Sequence, residues 1–136
     1  MEKTLRILLV DDDADDQVYF IDALKEVNPA IVCEVANNGN EALQQIAIPP
    51  PPDLIFMDLN MPIMNGYECL AILKKELRFQ HIPVIIFTTS RNPQDIERSK
   101  ELGASLFFTK PSNFKILCHN LDQIVKLDFP KQQFTL

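Results

Sequence analysis

The 136-residue chain is the size of one domain, and 46% apolar residues are enough for a single sizeable core. A net charge of −6, with no basic cluster longer than Lys74 and Lys75, excludes nucleic-acid binding as its main activity. The longest apolar runs are strand-sized, too short for a membrane span or secretory leader, so a cytoplasmic protein without membrane contact is expected.

In chain order, the continuously apolar run Leu5–Val10 reads as a buried strand, followed by a helix carrying Val18, Ile21 and Leu24. Asp15 or Asp16 is the expected cap of that helix, with the acidic residues after Asp12 favouring its dipole. Ile31–Ala36 is an interrupted run that suits an edge strand, and Glu41–Ala47 a second helix. Pro49–Pro52 can be neither helix interior nor central strand and reads as a stiff spacer. Leu54–Met57 is the third strand, and Leu70, Leu73 and Leu77 mark the third helix. Val84–Phe87, Gln94–Leu102, Leu106–Phe108 and a helix with Phe114, Leu117, Leu121 and Ile124 complete the series. Strands alternating with helices require crossovers and a parallel sheet covered on both faces, the doubly wound α/β class. Residues 1–127 form the expected domain and 128–136 a tail, whose Phe129, Phe134 and Leu136 read as either a frayed end or a dimer contact. Cys33, Cys69 and Cys118 lack CxxC spacing and read as reduced thiols with no catalytic role.

Asp11 and Asp12, Asp58 and Lys110 each follow a strand-like run. Downstream ends of parallel strands share one edge, so these groups are expected to converge. Carboxylates about 4–6 Å apart repel by roughly 3–4 kcal/mol per close pair at an effective dielectric of about 20, so the cluster needs a cation. Hard oxygen ligands, with His81 and His119 far away in sequence, favour Mg²⁺, which with Lys110 would balance the three aspartates. Asp11, Asp13 and Asp15 also fit the start of a calcium loop, but such a loop needs glycine at Asp16 and glutamate at Asp22. A metal clamp, an Asp58 nucleophile, the Lys110 ammonium and the Thr88 hydroxyl are together the parts of a phosphoryl-transfer site.

The stretches Ile7–Asp13, Ile55–Pro62 with Gly66, Pro83–Thr89, Gly103 with Ala104, and Lys110 with Pro111 resemble the receiver domain of two-component response regulators over about residues 4–127. The resemblance implies a five-stranded, flavodoxin-like (βα)₅ fold with strand order 2-1-3-4-5. It makes Asp58 the phosphoacceptor, with Asp11, Asp12, Asp58 and the Asn60 backbone carbonyl as Mg²⁺ ligands. Thr88 and Lys110 would then contact the phosphoryl group, Thr88 and Phe107 would form the switch pair, and the Lys110–Pro111 bond would be cis. Phe107 has no phenolic hydroxyl, and Thr89 is larger than the residue common at its position, which would narrow water access. The Phe87–Ser90 pattern and short tail resemble single-domain regulators, some of which partner bacterial phytochromes.

The implied partners are a sensor histidine kinase or phosphotransfer protein and a downstream protein. With no DNA-binding or catalytic segment after residue 127, output is expected through that protein or a phosphorelay step. The fourth helix, whose large apolar residues are Ile96 and Leu102, is the expected moving element; with the fifth strand and fifth helix it would form the output face and a site for a homodimer. A receiver working without phosphate is a rival reading. An Asp-nucleophile phosphatase is disfavoured because Asn60 stands where its general acid would be, and a dinucleotide binder because no glycine loop follows the first strand.

Overall fold

The computed structural model describes residues 4–127 together with 134 and 135. Five strands, β1 (Arg6–Val10), β2 (Val32–Ala36), β3 (Leu54–Met57), β4 (Val84–Thr88) and β5 (Leu106–Thr109), pair in parallel in the order β2-β1-β3-β4-β5. The helices are α1 (Ala14–Val27), α2 (Gly39–Ile46), α3 (Gly66–Lys75), α4 (Pro93–Glu101) and α5 (Phe114–Ile124). The flavodoxin-like expectation therefore holds.

The sheet separates two apolar layers. Leu8, Val10, Ile55, Met57, Ile86 and Phe107 face α2, α3 and α4, whereas Ile7, Leu9, Phe56, Ile85, Phe87 and Phe108 face α1 and α5. Strands β3 and β4 are buried along their whole length because both faces are covered, which is why they read as unbroken apolar runs. Edge strand β2 alternates exposed and half-buried positions before ending in buried Ala36. No helix among the described residues is long and apolar enough to cross a membrane.

Several local expectations change. Asp13, not Asp15 or Asp16, caps α1: its carboxylate accepts the Asp16 backbone N–H at 2.9 Å. Its position immediately before the first helical residue gives Asp13 that geometry, while Asp15 and Asp16 already lie within the first turn. The buried stripe of α1 is Phe20, Ala23 and Leu24, and Val18 is 59% exposed. Helix α3 stops at Lys75 because Glu76 is extended, so Leu77 falls outside the helix and into solvent. In the tail, the Phe134 carbonyl accepts the Phe107 backbone N–H at 2.7 Å, Thr135 forms a parallel bridge to Phe107, and the Phe134 ring packs against the α4-side core. This part of the tail is thus docked on its own chain, while Phe129 and Leu136 lie outside the described residues.

Candidate functional site

The sheet ladder continues one residue past each strand that supplies the site. Asp11 N–H donates to the Ala36 carbonyl at 3.0 Å, Asp58 N–H to Val10 at 2.9 Å and Lys110 N–H to Thr88 at 2.7 Å. The backbones carrying the charged groups are therefore held by the core rather than by mobile loops. Gly66 fixes the far side of Asp58: a Cβ there would stand 2.2 Å from the Asp58 carbonyl oxygen, so only glycine lets α3 start so close.

Asp11, Asp12 and Asp58 converge as expected, with a carboxylate oxygen from each lying within 4.8 Å of the others. Asp11 is fully buried, Asp58 half-buried and Asp12 exposed on the open side. Lys110 Nζ donates to Asp11 Oδ2 at 2.8 Å, Asp16 Oδ2 at 2.8 Å and Asp58 Oδ2 at 3.1 Å. The remaining oxygens of the two inner carboxylates are also engaged, Asp11 Oδ1 by Asp13 N–H at 3.0 Å and Asp58 Oδ1 by Leu59 N–H at 2.7 Å. The Phe87 ring lies 5.3 Å from the ammonium.

Burial pushes the Asp11 carboxyl above its ordinary value, partly offset by its bond to Lys110. Burial alone would lower the Lys110 ammonium, but the bonds to Asp11 and Asp16 and the charge of Asp58 leave it raised. The Lys110 direction reflects the negative charge gathered at this edge, whereas that of Asp11 reflects its enclosure. Three oxygen donors with neither sulfur nor imidazole suit a hard divalent cation such as Mg²⁺. Asp16 makes a fourth carboxylate, so a divalent ion and Lys110 would leave one negative charge rather than the expected neutrality.

Asp16 is the site residue that sequence reasoning missed. Acidic residues in a first helical turn are already accounted for by the dipole, and the remaining signal was that this turn follows directly from the Asp11–Asp12 strand end. Thr88 is fully buried at the end of β4, and its Oγ1 accepts the Ser90 backbone N–H at 3.3 Å. Phe107 is 1% exposed, so any rotation of its ring would be a repacking inside the core. Asn60 and Thr89 are both exposed, in the loops after β3 and β4. The implied cis bond is not found: the cis peptide among the described residues is Pro49–Pro50, and Lys110–Pro111 is trans. Trans is the form favoured by about 0.5–1 kcal/mol before proline, and from it the ammonium already reaches three carboxylates.

The response regulator receiver domain family matches residues 7–122. The chain belongs to this family. Among solved receivers, the phosphorylated cyanobacterial phytochrome response regulator RcpA superposes with a TM-score of 0.83 at 30% identity, over 90% of this chain and 91% of that one. The Mn(2+)-bound form of response regulator Rcp1 gives 0.80 at 29% identity, over 96% and 98% of the two chains. The resemblance to phytochrome-associated regulators seen in the sequence is thus present in the structure. The receiver is also 37% identical over 130 residues to a protein-glutamate methylesterase/protein-glutamine glutaminase of Desulfotalea psychrophila, covering 91% of this chain but 35% of that protein. The chain spans between 24% and 35% of the length of the first curated relatives it matches.

Proposed function

We propose that this receiver accepts a phosphoryl group on Asp58 from the phosphohistidine of a sensor histidine kinase or phosphotransfer protein, and that the modification switches a protein-binding face. The observation that carries this reading is the convergence of Asp11, Asp12 and Asp58 within 4.8 Å, with Lys110 bonded to two of them. In the transfer the donor P–N bond breaks as a P–O bond forms to an Asp58 carboxylate oxygen, and the imidazole keeps the electron pair of the broken bond. Asp11, Asp12, Asp58 and the Asn60 backbone carbonyl would hold Mg²⁺, which would supply positive charge to the phosphoryl oxygens. Lys110 and Thr88 donate to those oxygens. Two related receivers, RcpA in its phosphorylated form and Rcp1 with Mn(2+) bound, support the same assignment here.

Phosphorylation adds nearly two negative charges beside Asp58 and draws the Thr88 hydroxyl inward. Thr88 Oγ1 accepts the Ser90 N–H and Ser90 Oγ donates to Asp95, so its movement is felt at the start of α4, and the face of α4, β5 and α5 carries the change to a downstream protein or a second copy of the chain. Incubation with acetyl phosphate and Mg²⁺, read by intact mass, tests the acceptor. One phosphoryl adduct is expected on the wild type and none on Asp58→Asn; an adduct on the Asn variant would place the acceptor elsewhere.

A further inference from the structure

Lys110 has three ammonium protons and three carboxylate partners, one of which the phosphoryl chemistry described above does not use. Asp16 reaches in from the first turn of α1 and bonds Nζ at 2.8 Å, as closely as the fully buried Asp11, while the bond to Asp58 is the longest of the three at 3.1 Å. The ammonium is therefore drawn toward Asp11 and Asp16 and away from the phosphoacceptor. Asp11 is enclosed and has its other oxygen committed to the Asp13 N–H, so its hold on the lysine is fixed. Asp16 is different: its side chain is 40% exposed, and with Lys110, Thr89 and Tyr19 it lines an open cleft of about 300 Å³ between α1 and the loop after β5. Of the three legs it can most readily let go, because water can replace the lysine at its carboxylate.

We infer that Asp16 is a positioning residue that restrains Lys110 in the unphosphorylated protein, so that a phosphoryl group on Asp58 must compete with the Asp16 carboxylate for the ammonium. This rests on the phosphoacceptor reading of Asp58. Asp16 thereby sets how strongly the receiver holds its phosphoryl group, without touching that group itself. A partly exposed ion pair is worth up to about 1 kcal/mol, which places the effect at about threefold to fivefold in affinity.

The test is a titration of the whole chain with beryllofluoride, the phosphoryl mimic, at saturating Mg²⁺. Asp16→Asn is expected to bind it about threefold to fivefold more tightly than wild type, and Asp16→Ser, with a residue favoured at helix starts, should do the same. Asp15→Asn removes the same charge from the same turn, at an exposed residue outside the Lys110 trio, and should change the affinity less than twofold. The sign discriminates, because a merely structural role for Asp16 would weaken binding on its removal. Unchanged or weaker binding by the Asp16 variants, or an equal gain from Asp15→Asn, would overturn the inference. Absence of beryllofluoride binding by the wild type would instead overturn the phosphoacceptor reading, and the inference with it.

Discussion

Ser90 Oγ donates to Asp95 Oδ2 at 2.6 Å, joining the segment just after β4 to the first turn of α4. The other oxygen of Asp95 accepts from the Tyr67 hydroxyl on α3, and the Arg98 guanidinium covers the Tyr67 ring at 4.0 Å. Ser99, the buried residue of α4, returns its hydroxyl to the Asp95 carbonyl at 2.7 Å. The helix that sequence patterning marks as weakly fixed is indeed poor in apolar burial, but a polar cluster holds it instead. Because Ser90 N–H also bonds Thr88 Oγ1, a pull on Thr88 reaches that cluster through one residue.

Replacing Asp95 with asparagine weakens the charge-assisted bonds from Ser90 and Tyr67, at a cost of about 1 kcal/mol for this partly exposed group. Amides of α4 should exchange faster with solvent while those of β1 and β3 keep their rates. Equal exchange across α4 in the two proteins would show that the apolar contacts of Ile96 and Leu102 alone fix the helix.

The same cluster predicts a pH window at each end. Bonds from Ser90 and then Tyr67 hold the Asp95 carboxyl below its ordinary value of 3.8, so its stabilisation is complete above that pH and is lost as pH falls through the depressed value. Burial, followed by the bond to Asp95, pushes the Tyr67 phenol from 10.0 to about 12. Its stabilisation is complete below 10.0 and is lost as pH rises toward 12. Tyrosinate absorbance should show Tyr67 ionising near the upper figure, and in Asp95→Asn its midpoint should fall.

Gly66→Ala should destabilise the protein by about 1–3 kcal/mol, because the new methyl meets the Asp58 backbone rather than a side chain able to turn aside. Urea unfolding reads the loss. Since the atoms that must move belong to Asp58, phosphorylation by acetyl phosphate should fall as well.

Ile63 has φ of 68° and is 81% exposed, so a β-branched side chain occupies the left-handed region with almost no burial to offset the strain. Ile63→Gly is expected to stabilise the fold by about 1 kcal/mol, and Ile63→Asn by less, in the same unfolding measurement.

Asp12 is the exposed carboxylate of the trio, and Asp12→Ala should weaken Mg²⁺ binding by about tenfold or more, or ~1.4 kcal/mol and above. Calorimetric titration with Mg²⁺ checks this. An unchanged affinity would place the ion elsewhere on the edge.

What could be read from the sequence was what alternation and strand ends dictate. Val84–Phe87 is apolar throughout because both of its faces are covered, and Asp11, Asp58 and Lys110 stand where parallel strands terminate together. Contacts set by how helices lie on the sheet were not readable. Asp16 and Asp95 are ordinary acidic residues of a first turn until α1 brings one to Lys110 and α3 brings Tyr67 to the other. Val18 and Leu77 fit a helical apolar stripe by spacing, yet the first faces solvent and the second lies beyond the helix end. The trans Lys110–Pro111 bond carries no local signal, since proline permits either isomer.

The docking of Phe134 and Thr135 on Phe107 changes what β5 can offer to other molecules. An outer strand is normally a template for pairing with another chain, and here part of that template is occupied by Phe134 and Thr135 of the same chain. A protein that recognised β5 by adding a strand at Phe107 would have to displace Phe134 and Thr135 first, so its apparent affinity would depend on how firmly Phe134 is seated.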